Sequence, residues 1–437
     1  MTPASRYLRI GGNFPHAPPN RQHHPSLSVV VIGAGVAGIY AARRLRRHFE
    51  PGDIDVQILE RAARVGGRVH TVRTADGAME AGAGRVCIPG HRLVLRLIRE
   101  HGLTLRAISD EPAYQQRNRR VLCSAANDRT RADHVRLVDM NVLSKPTLRR
   151  IQTALGYDAE FNVSHARGTF DSLCAPCRYA TVQEGFGALC TRMLRAAVHD
   201  GIRVSLSTRV LAVRRDDAGK MQVRVLNPDG TCDDIRCDAV VACVPPSCLR
   251  VIDHTGAVPT AWLSRTYVRS IPLLRVYAKF PHKWWDDERR TFDGPIRYFI
   301  PVGSDRIVMV SYTDGALARR WHAAHRRSPR QAERAVRRLL ASAFRTDVPR
   351  PEWVRFFYWD PGVHLTPPID PHIGMGAREW SKRMAHPDPG IPMYLANEAY
   401  SHDHQQWVEG ALRSARRAAA AVKRTAHAGR SSRMRCR

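Results

Sequence analysis

The chain has 437 residues, of which 43% are hydrophobic and 25% are charged, as is typical of a globular protein with two or three domains. Lys and Arg outnumber Asp and Glu by 69 to 40, a formal net charge of +29. A basic surface favours contact with nucleic acid, an anionic membrane or an acidic partner, but the excess consists almost entirely of Arg spread along the chain, which favours a compositional bias instead. The apolar runs, such as 239–246, are far shorter than the roughly 20 residues of a transmembrane helix, so no membrane-spanning segment is expected.

Both ends of the chain are predicted to be disordered. Residues 1–27 are polar and rich in Pro, His and Arg, without the apolar segment of a signal peptide. Residues 413–437 hold nine Lys or Arg and no carboxylate, and the basic tail at 426–437 is expected to contact polyanions while staying disordered. We therefore expect a soluble, intracellular protein, most simply a cytoplasmic one.

Ten cysteines are scattered along the chain, and without a secretory signal they are expected to be reduced thiols. Cys174 and Cys177 form a C-x-x-C pair, which is compatible with a redox pair or with half of a zinc site. Because no second pair stands at the spacing that zinc requires, the sequence predicts no metal site and leaves the redox pair as an alternative.

A predicted strand at 29–32 leads into the glycine-rich turn Gly33-Ala-Gly35-Val-Ala-Gly38 and then into an Ala/Arg-rich helix. In this pattern the first glycine permits a tight turn, the second lets the backbone approach a pyrophosphate, and the third lets the helix pack on the strand. The next predicted strand ends at Glu60, whose carboxylate can accept hydrogen bonds from ribose hydroxyls. Together these features predict a dinucleotide site.

A second glycine-containing segment, RAARVGGRVHT at 61–71, follows directly. In it, Gly67 lets the chain pass close to a pyrophosphate and Arg68 supplies positive charge. This segment resembles the FAD-dependent amine oxidase family, which includes monoamine, polyamine and L-amino acid oxidases. Five further segments resemble the same family, so that the matches cover most of residues 28–422: they are 79–86, 182–197, 207–216, 238–249 and 393–422.

The resemblance implies FAD as the cofactor and gives roles to single residues. Gly84 belongs to the segment near the flavin ring, and Val210 meets the adenine through its backbone. Glu398 bonds the ribityl hydroxyls, and the N–H of Val408 faces the pyrimidine end of the flavin. Asn397 stands where the family has Gly, and we expect it to keep the turn by adopting left-handed backbone. No Cys precedes this segment where monoamine oxidases attach the flavin, so we expect non-covalent FAD.

On the substrate side, the resemblance implies an apolar wall formed by Trp407 and Trp359, which would disfavour the ammonium form of an amine. Each Trp is equally compatible with plain core packing. Arg85 stands where L-amino acid oxidases hold the substrate carboxylate with an Arg. It could instead bond the flavin or a neighbouring acid.

Two departures from the family concern the amine end of the site. Arg275 stands where oxidases carry a Lys that assists the reaction with oxygen, and a guanidinium does not deprotonate as an ammonium does. Gln406 replaces the usual Gly before Trp407 and crowds the site. Either Arg275 reflects the arginine-rich composition and activity is partly retained, or the enzyme passes its electrons to another acceptor.

The order of these motifs predicts an α/β fold of two interleaved domains. A Rossmann-like FAD-binding domain takes 28–105, 182–260 and 385–425, and an α+β substrate domain takes 106–181 and 261–384.

The substrate domain is predicted to contain a mostly antiparallel sheet. Alternating and β-branched runs at 265–280 and 297–315 indicate its strands. The segment 316–344 predicts helices that are split near Pro329. Residues 106–181 show no regular pattern.

The leading hypothesis is an oxidoreductase that transfers a hydride to flavin N5 from the carbon bearing the nitrogen of an amine or L-amino acid. The imine formed would be hydrolysed to an aldehyde or 2-oxo acid and ammonia, with hydrogen peroxide as a further product if oxygen is the electron acceptor. One alternative is a desaturase-like flavoenzyme on a non-amine substrate. The other is a catalytically weakened flavoprotein that acts as a basic structural or polyanion-binding protein.

Overall fold

The structure of the chain, a computed structural model, describes residues 27–108, 178–254, 267–367 and 375–435, together with 144–146, 149, 152, 157–159 and 258. The strands in these stretches are β1 (Leu27–Ile32), β2 (Ile54–Leu59), β3 (Thr71–Thr74), β4 (Gly77–Glu80), β5 (Val86–Ile88), β6 (Leu105–Ala107), β7 (Arg178–Val182), β8 (Arg203–Ser205), β9 (Arg209–Arg215), β10 (Met221–Leu226), β11 (Cys232–Cys237), β12 (Ala239–Ala242), β13 (Arg269–Lys279), β14 (Arg290–Thr291), β15 (Tyr298–Pro301), β16 (Ile307–Asp314), β17 (Trp353–Leu365) and β18 (Met393–Leu395).

The α-helices with described bounds are α1 (Val36–Arg46), α2 (Arg92–Glu100), α3 (Gly187–His199), α4 (Pro246–Leu249), α5 (Gly315–Arg327), α6 (Pro329–Phe344), α7 (Ala377–Arg383) and α8 (Val408–Arg435). A 3₁₀ turn spans Glu398–Tyr400.

A parallel sheet in the order β18-β12-β1-β2-β8 forms the centre of the dinucleotide half of the molecule. Its inner strands are apolar on both faces because helices and loops cover both faces, as parallel sheets require. On one face, α1 packs against α8 and α3. The sheet is drawn from three separate stretches of chain, so the predicted Rossmann-like architecture is confirmed.

A second, antiparallel sheet in the order β14-β15-β16-β13-β17 confirms the sheet predicted for the substrate half. Successive residues of a strand point to opposite faces. Leu274 and Val276 of β13 therefore face a core cluster that includes α5 and α6 residues such as Trp321 and Leu340. The predicted break between the two helices falls at Ser328, whose hydroxyl accepts a hydrogen bond from the Gln331 N–H at the start of α6.

Three small antiparallel sheets complete the described fold: β11-β10-β9, β3-β4 and β5-β7-β6. The last of these is built at the two ends of the segment 106–181, for which the sequence shows no regular pattern. Cys174 and Cys177 lie outside the described residues.

Two expectations are wrong where the structure describes the chain. The basic C-terminal segment is not disordered, since α8 continues to Arg435 and its buried face, with Leu412 and Val422, packs on the rest of the fold. Cys87 is disulfide-bonded rather than reduced, whereas five other cysteines are free thiols: Cys190, Cys232, Cys237, Cys243 and Cys248. Within the described residues, none of the helices is long and apolar enough to cross a membrane.

Replacing Leu412 by Ala should lower the free energy of unfolding by about 3 kcal/mol, because Leu412 is fully buried where α8 packs on α1. Chemical denaturation measures this. The matched control is Arg416→Ala on the exposed face of the same helix, which should change stability by no more than about 0.5 kcal/mol. Equal effects of the two substitutions would contradict the described docking of α8.

Candidate active site

One cavity of about 580 Å³ lies at the carboxyl ends of β1, β2 and β12 and extends to the antiparallel sheet. Such an edge of an open parallel sheet is where α/β proteins bind their ligands. The cavity is lined by thirteen of the fourteen predicted site residues, which are Gly33, Gly35, Glu60, Gly67, Arg68, Gly84, Arg85, Val210, Arg275, Trp359, Glu398, Trp407 and Val408. Gly38, the fourteenth, is buried behind the turn.

The glycine-rich turn has the backbone that the sequence pattern predicts. Gly33 has a φ of +100°, in the region that favours glycine. A Cβ on Gly38 would lie 1.8 Å from the Gly33 carbonyl oxygen, so only glycine lets α1 approach the strand this closely. At Gly35, by contrast, a Cβ would meet nothing within 4 Å, because this residue borders the open cavity.

Glu60 lines the cavity at the end of β2, and both of its carboxylate oxygens are held by the backbone. Oε2 accepts a hydrogen bond from the Ala34 N–H at 2.8 Å, and Oε1 accepts one from the Ala62 N–H at 2.8 Å. These bonds fix the orientation of the carboxylate while leaving lone pairs for a ligand hydroxyl.

Glu398 forms a buried ionic cluster with Arg68 and His364. Its Oε1 lies 2.6 Å from Arg68 Nη1 and 2.6 Å from His364 Nδ1, and its Oε2 accepts a hydrogen bond from the Gln406 N–H at 3.1 Å. Burial alone would raise the pKa of Glu398, but His364 and Arg68 lower it to about 2. Glu398 is therefore ionised at neutral pH, and His364 Nδ1 carries a proton that it donates.

The backbone around Glu398 corrects the prediction made for Asn397. This residue has a φ of −160°, which is extended, and its side-chain oxygen accepts a hydrogen bond from the Ala399 N–H to cap the 3₁₀ turn. The left-handed residues of this segment are instead His404, at a φ of +62°, and Gln406, at a φ of +69°, and the N–H of Gln406 donates to Glu398. A non-glycine residue is thus tolerated at 397 because the position needs no positive φ.

Trp407 and Trp359, predicted to form an aromatic wall, both line the cavity, and each is also anchored within the fold. The Trp407 ring stacks on Tyr179 at 5.9 Å between ring centroids and lies 4.8 Å from His91. The indole N–H of Trp359 donates to the Ala81 carbonyl at 2.6 Å. Burial lowers the pKa of His91 to about 3, so this imidazole is neutral at neutral pH.

Arg85 and Arg275 bring two guanidinium groups to the same cavity. Arg85 donates to the Tyr157 hydroxyl at 3.0 Å and lies over the Tyr179 ring. Arg275 donates to the Glu80 carbonyl at 2.8 Å and lies 4.5 Å from the centre of the Tyr312 ring. Among the residues that the structure describes, neither Arg forms an ion pair with a carboxylate.

Sequence reasoning missed Tyr157, Tyr179, Tyr312 and His364. Tyr312 is directly opposite Arg275 in the β13–β16 register, and the alternation of both strands could have revealed this pairing. Tyr157 and His364 contact the site only through tertiary packing, and the sequence carries no local signal for it.

A sequence profile described as flavin containing amine oxidoreductase matches this chain over residues 36–158 and 124–423. The chain belongs to the flavin-containing amine oxidoreductase family.

Similarity to individual relatives is local. An L-glutamate oxidase precursor of Streptomyces diastatochromogenes is 40% identical over 93 residues, 19% of this chain and 14% of the relative. An L-amino-acid oxidase of Bothrops pauloensis is 35% identical over 111 residues, 25% of this chain and 20% of the relative. The matched stretches thus span a fifth or less of these curated relatives.

Cyclohexylamine oxidase from Brevibacterium oxydans IH-35A has a similar fold, with a TM-score of 0.69 over 92% of this chain and 99% of that one. Because the two sequences are 18% identical, the likeness concerns the fold.

The cavity of this family member fits FAD, the cofactor that family membership implies. The first turn of α1 carries no acidic residue and no side-chain cap, so its N–H groups are free to meet a pyrophosphate. The space beside Gly35 lets backbone and phosphate come close. Glu60 would hold the adenosine ribose.

Gly35→Ala should weaken FAD binding at least tenfold while leaving apoprotein stability unchanged, because the added methyl group occupies only space that the pyrophosphate requires. FAD titration and apoprotein unfolding measure the two effects. The control is Gly376→Ala, since Gly376 is also an extended helix N-cap with open space around its Cα but lies outside the cavity. Unchanged FAD affinity in Gly35→Ala would refute this role.

Arg68→Met should make FAD retention depend on pH. In the wild type, a Glu398 pKa of about 2 keeps the carboxylate ionised throughout the neutral range. Without Arg68, one of the two groups that lower this pKa is lost while burial still raises it, so Glu398 takes up a proton at a higher pH than in the wild type and FAD retention falls as the pH is lowered. Gel filtration with flavin absorbance measures retention.

The control for this charge removal is Arg99→Met, on the exposed surface of α2. It should retain FAD as the wild type does. A flat retention profile in Arg68→Met would contradict the assignment of Glu398 as an ionised ligand.

Proposed function

We propose that the chain is an FAD-dependent oxidoreductase that oxidatively deaminates an L-amino acid. The observation that carries the proposal is that one cavity is lined both by the Arg85 guanidinium and by a dinucleotide cradle, which consists of Gly33, Gly35 and Glu60. When bound, FAD accepts a hydride at N5 from the carbon that bears the nitrogen. The substrate also loses a proton from nitrogen, and the resulting imino acid takes up water to give a 2-oxo acid and ammonia.

Arg85 would bind the substrate carboxylate and so orient the carbon that is oxidised. Its planar guanidinium can donate two parallel hydrogen bonds to a carboxylate, and the Tyr157 hydroxyl and Tyr179 ring already fix its position. Trp407 and Trp359, which line the cavity, would exclude water from it, and Tyr179 supports this wall by stacking on Trp407.

The charge of the cavity favours the neutral amine that donates a hydride. Arg85 and Arg275 remain protonated at all physiological pH values. Two neighbouring cations disfavour an ammonium group, so the substrate nitrogen would lose its proton readily. The same charges would repel a polyamine or a simple alkylammonium ion, which is why we favour an amino acid over an amine.

The remaining predicted roles concern the cofactor. The N-terminus of α8 at Val408 would stabilise negative charge at the pyrimidine end of the flavin. Val210, at the edge of the cavity on β9, would contact the adenine, and Gly84 would border the flavin ring. Non-covalent binding is supported by the positions of the two described cysteines that line the cavity, Cys243 and Cys248. Both follow β12 closely, and Cys243 lies against the Gly33–Gly38 turn and hence at the phosphate end. Acid precipitation should therefore release all of the flavin.

The electron acceptor is oxygen or another oxidant. With oxygen as the acceptor, hydrogen peroxide would be a further product. Arg275 occupies the position of the lysine expected from the resemblance and cannot deprotonate, which supports slow reaction with oxygen. Arg275→Lys should then release peroxide faster than the wild type under saturating substrate.

The two alternatives have less support. A desaturase-like enzyme on an apolar substrate would have no use for two guanidinium groups in its cavity. A purely structural, polyanion-binding role would have no use for the cradle formed by Gly33, Gly35 and Glu60. A separate prediction is that the basic surface and α8 contact polyanions. DNA binding that weakens as the salt concentration rises would support it.

The proposal is tested by incubating the FAD-loaded protein with a panel of L-amino acids, alkylamines and polyamines while ammonia and peroxide are measured. We expect ammonia in proportion to the 2-oxo acid formed from L-amino acids. Ammonia without peroxide, in the presence of a redox dye, would identify an acceptor other than oxygen. Absence of ammonia with every compound would refute deamination.

Arg85→Lys should lower kcat/KM for amino acids at least tenfold, because the ammonium group cannot make the paired hydrogen bonds. Turnover of any amine that lacks a carboxylate should change little. An equal loss for amines and amino acids would mean that Arg85 supports the flavin and not the substrate.

A further inference from the structure

Arg275 and Arg85 approach each other from two elements, around one group of tyrosines. Arg275 lies over Tyr312, Arg85 bonds Tyr157, and the two tyrosine rings are 5.3 Å apart between centroids. Arg275 is only 7% exposed, and both guanidinium groups line the cavity. The site therefore holds two positive charges in a buried setting.

The acids near this pair are engaged elsewhere. The Glu80 carboxylate accepts hydrogen bonds from the Phe186 N–H and the Thr71 hydroxyl, and burial raises its pKa in spite of the charge of Arg275. The Asp314 carboxylate, which also lines the cavity, accepts the N–H groups of residues 158 and 159. Burial also raises the pKa of the Tyr157 hydroxyl, so this tyrosine stays neutral. Among the described residues, none of these groups forms an ion pair with Arg85 or Arg275.

Arg275 is buried and Arg85 is half-buried, and among the described residues neither has a carboxylate partner, so no opposite charge there offsets the desolvation of the two guanidinium groups. A ligand that brings two negative charges offsets this penalty, whereas a ligand with a single carboxylate leaves one cation unpaired. Arg275 donates to the Glu80 carbonyl and is also hydrogen-bonded to the side chains of Tyr312 and Tyr277, so two of its five N–H groups remain for a ligand.

We propose that Arg275 binds a second carboxylate, and that the preferred substrate is a dicarboxylic L-amino acid. This inference rests on the proposed function and extends it: Arg85 binds the carboxylate next to the reacting carbon, and Arg275 binds the side-chain carboxylate. The reaction remains a loss of hydride and proton from the same carbon and nitrogen, so the second carboxylate is unchanged in the product.

The first test compares L-glutamate and L-aspartate with L-glutamine and L-asparagine as reductants of the bound flavin under anaerobic conditions. At least one acid should exceed its amide at least about 100-fold in kcat/KM, since an amide leaves Arg275 buried and unpaired. Arg275→Met should abolish that preference by lowering the value for the acid far more than the value for its amide. Arg275→Lys should restore part of it.

The control variant is Arg355→Met, which removes an exposed guanidinium from the same antiparallel sheet, at a site outside the cavity. It should keep the wild-type preference. If acids and amides reduce the flavin equally, or if Arg275→Met lowers both to the same extent, Arg275 supports the fold or the flavin and the inference is wrong.

A binding measurement separates this inference from the proposed function. Glutarate and succinate have two carboxylates and no amine, so they can bind without reacting. They should perturb the flavin absorption spectrum saturably in the wild type and much more weakly in Arg275→Met, whereas butyrate should bind weakly to both. If no amino acid or amine reduces the flavin but this pattern holds, deamination fails and the dianion site stands. If the diacids bind no better than butyrate, the dianion site fails.

Discussion

The buried carboxylate of Glu398 is the constraint on which the rest of the site depends. Arg68 follows the first two parallel strands, His364 belongs to the antiparallel sheet, and Glu398 follows the last parallel strand. Arg68 also donates to the Gly362 carbonyl of β17 at 2.8 Å. A charge this deeply buried is tolerated only with such partners, so the cluster joins the two sheets where the cavity passes between them.

The second determinant of the cavity is the two-residue alternation of the antiparallel sheet. One face of β13, β16 and β17 supplies the hydrophobic core beneath α5 and α6. The opposite face presents Arg275, Tyr312 and Trp359 to the cavity. The parallel sheet thus offers a dinucleotide cradle, and the antiparallel sheet adds a cationic, aromatic wall to the same space. A flavin bound in the cradle would react only with substrates that fit against this cationic, aromatic wall.

Which parts of the fold and the site could be predicted from the sequence depends on how far apart in the chain the interacting residues lie. The turn from Gly33 to Gly38 and the position of Glu60 follow from local backbone requirements, so their sequence pattern was sufficient. The prediction for Asn397 was wrong because the positive φ occurs at Gln406 instead. The Gln406 N–H donates to Glu398, and this contact becomes apparent only in the folded structure. The helix α8 is ordered because it packs against α1, and this packing outweighs the basic composition from which disorder was predicted. Tyr157 and His364 reach the site from distant segments that share no local pattern with it.

The most direct measurement is the visible absorption spectrum of the purified protein, before and after anaerobic addition of mixed L-amino acids. We expect the bands of oxidised flavin at first, and their bleaching on addition, because the dinucleotide cradle and the substrate-facing wall share one cavity. Flavin bands that no amino acid bleaches would contradict the assigned chemistry. A colourless protein that cannot be loaded with FAD would contradict the cradle itself.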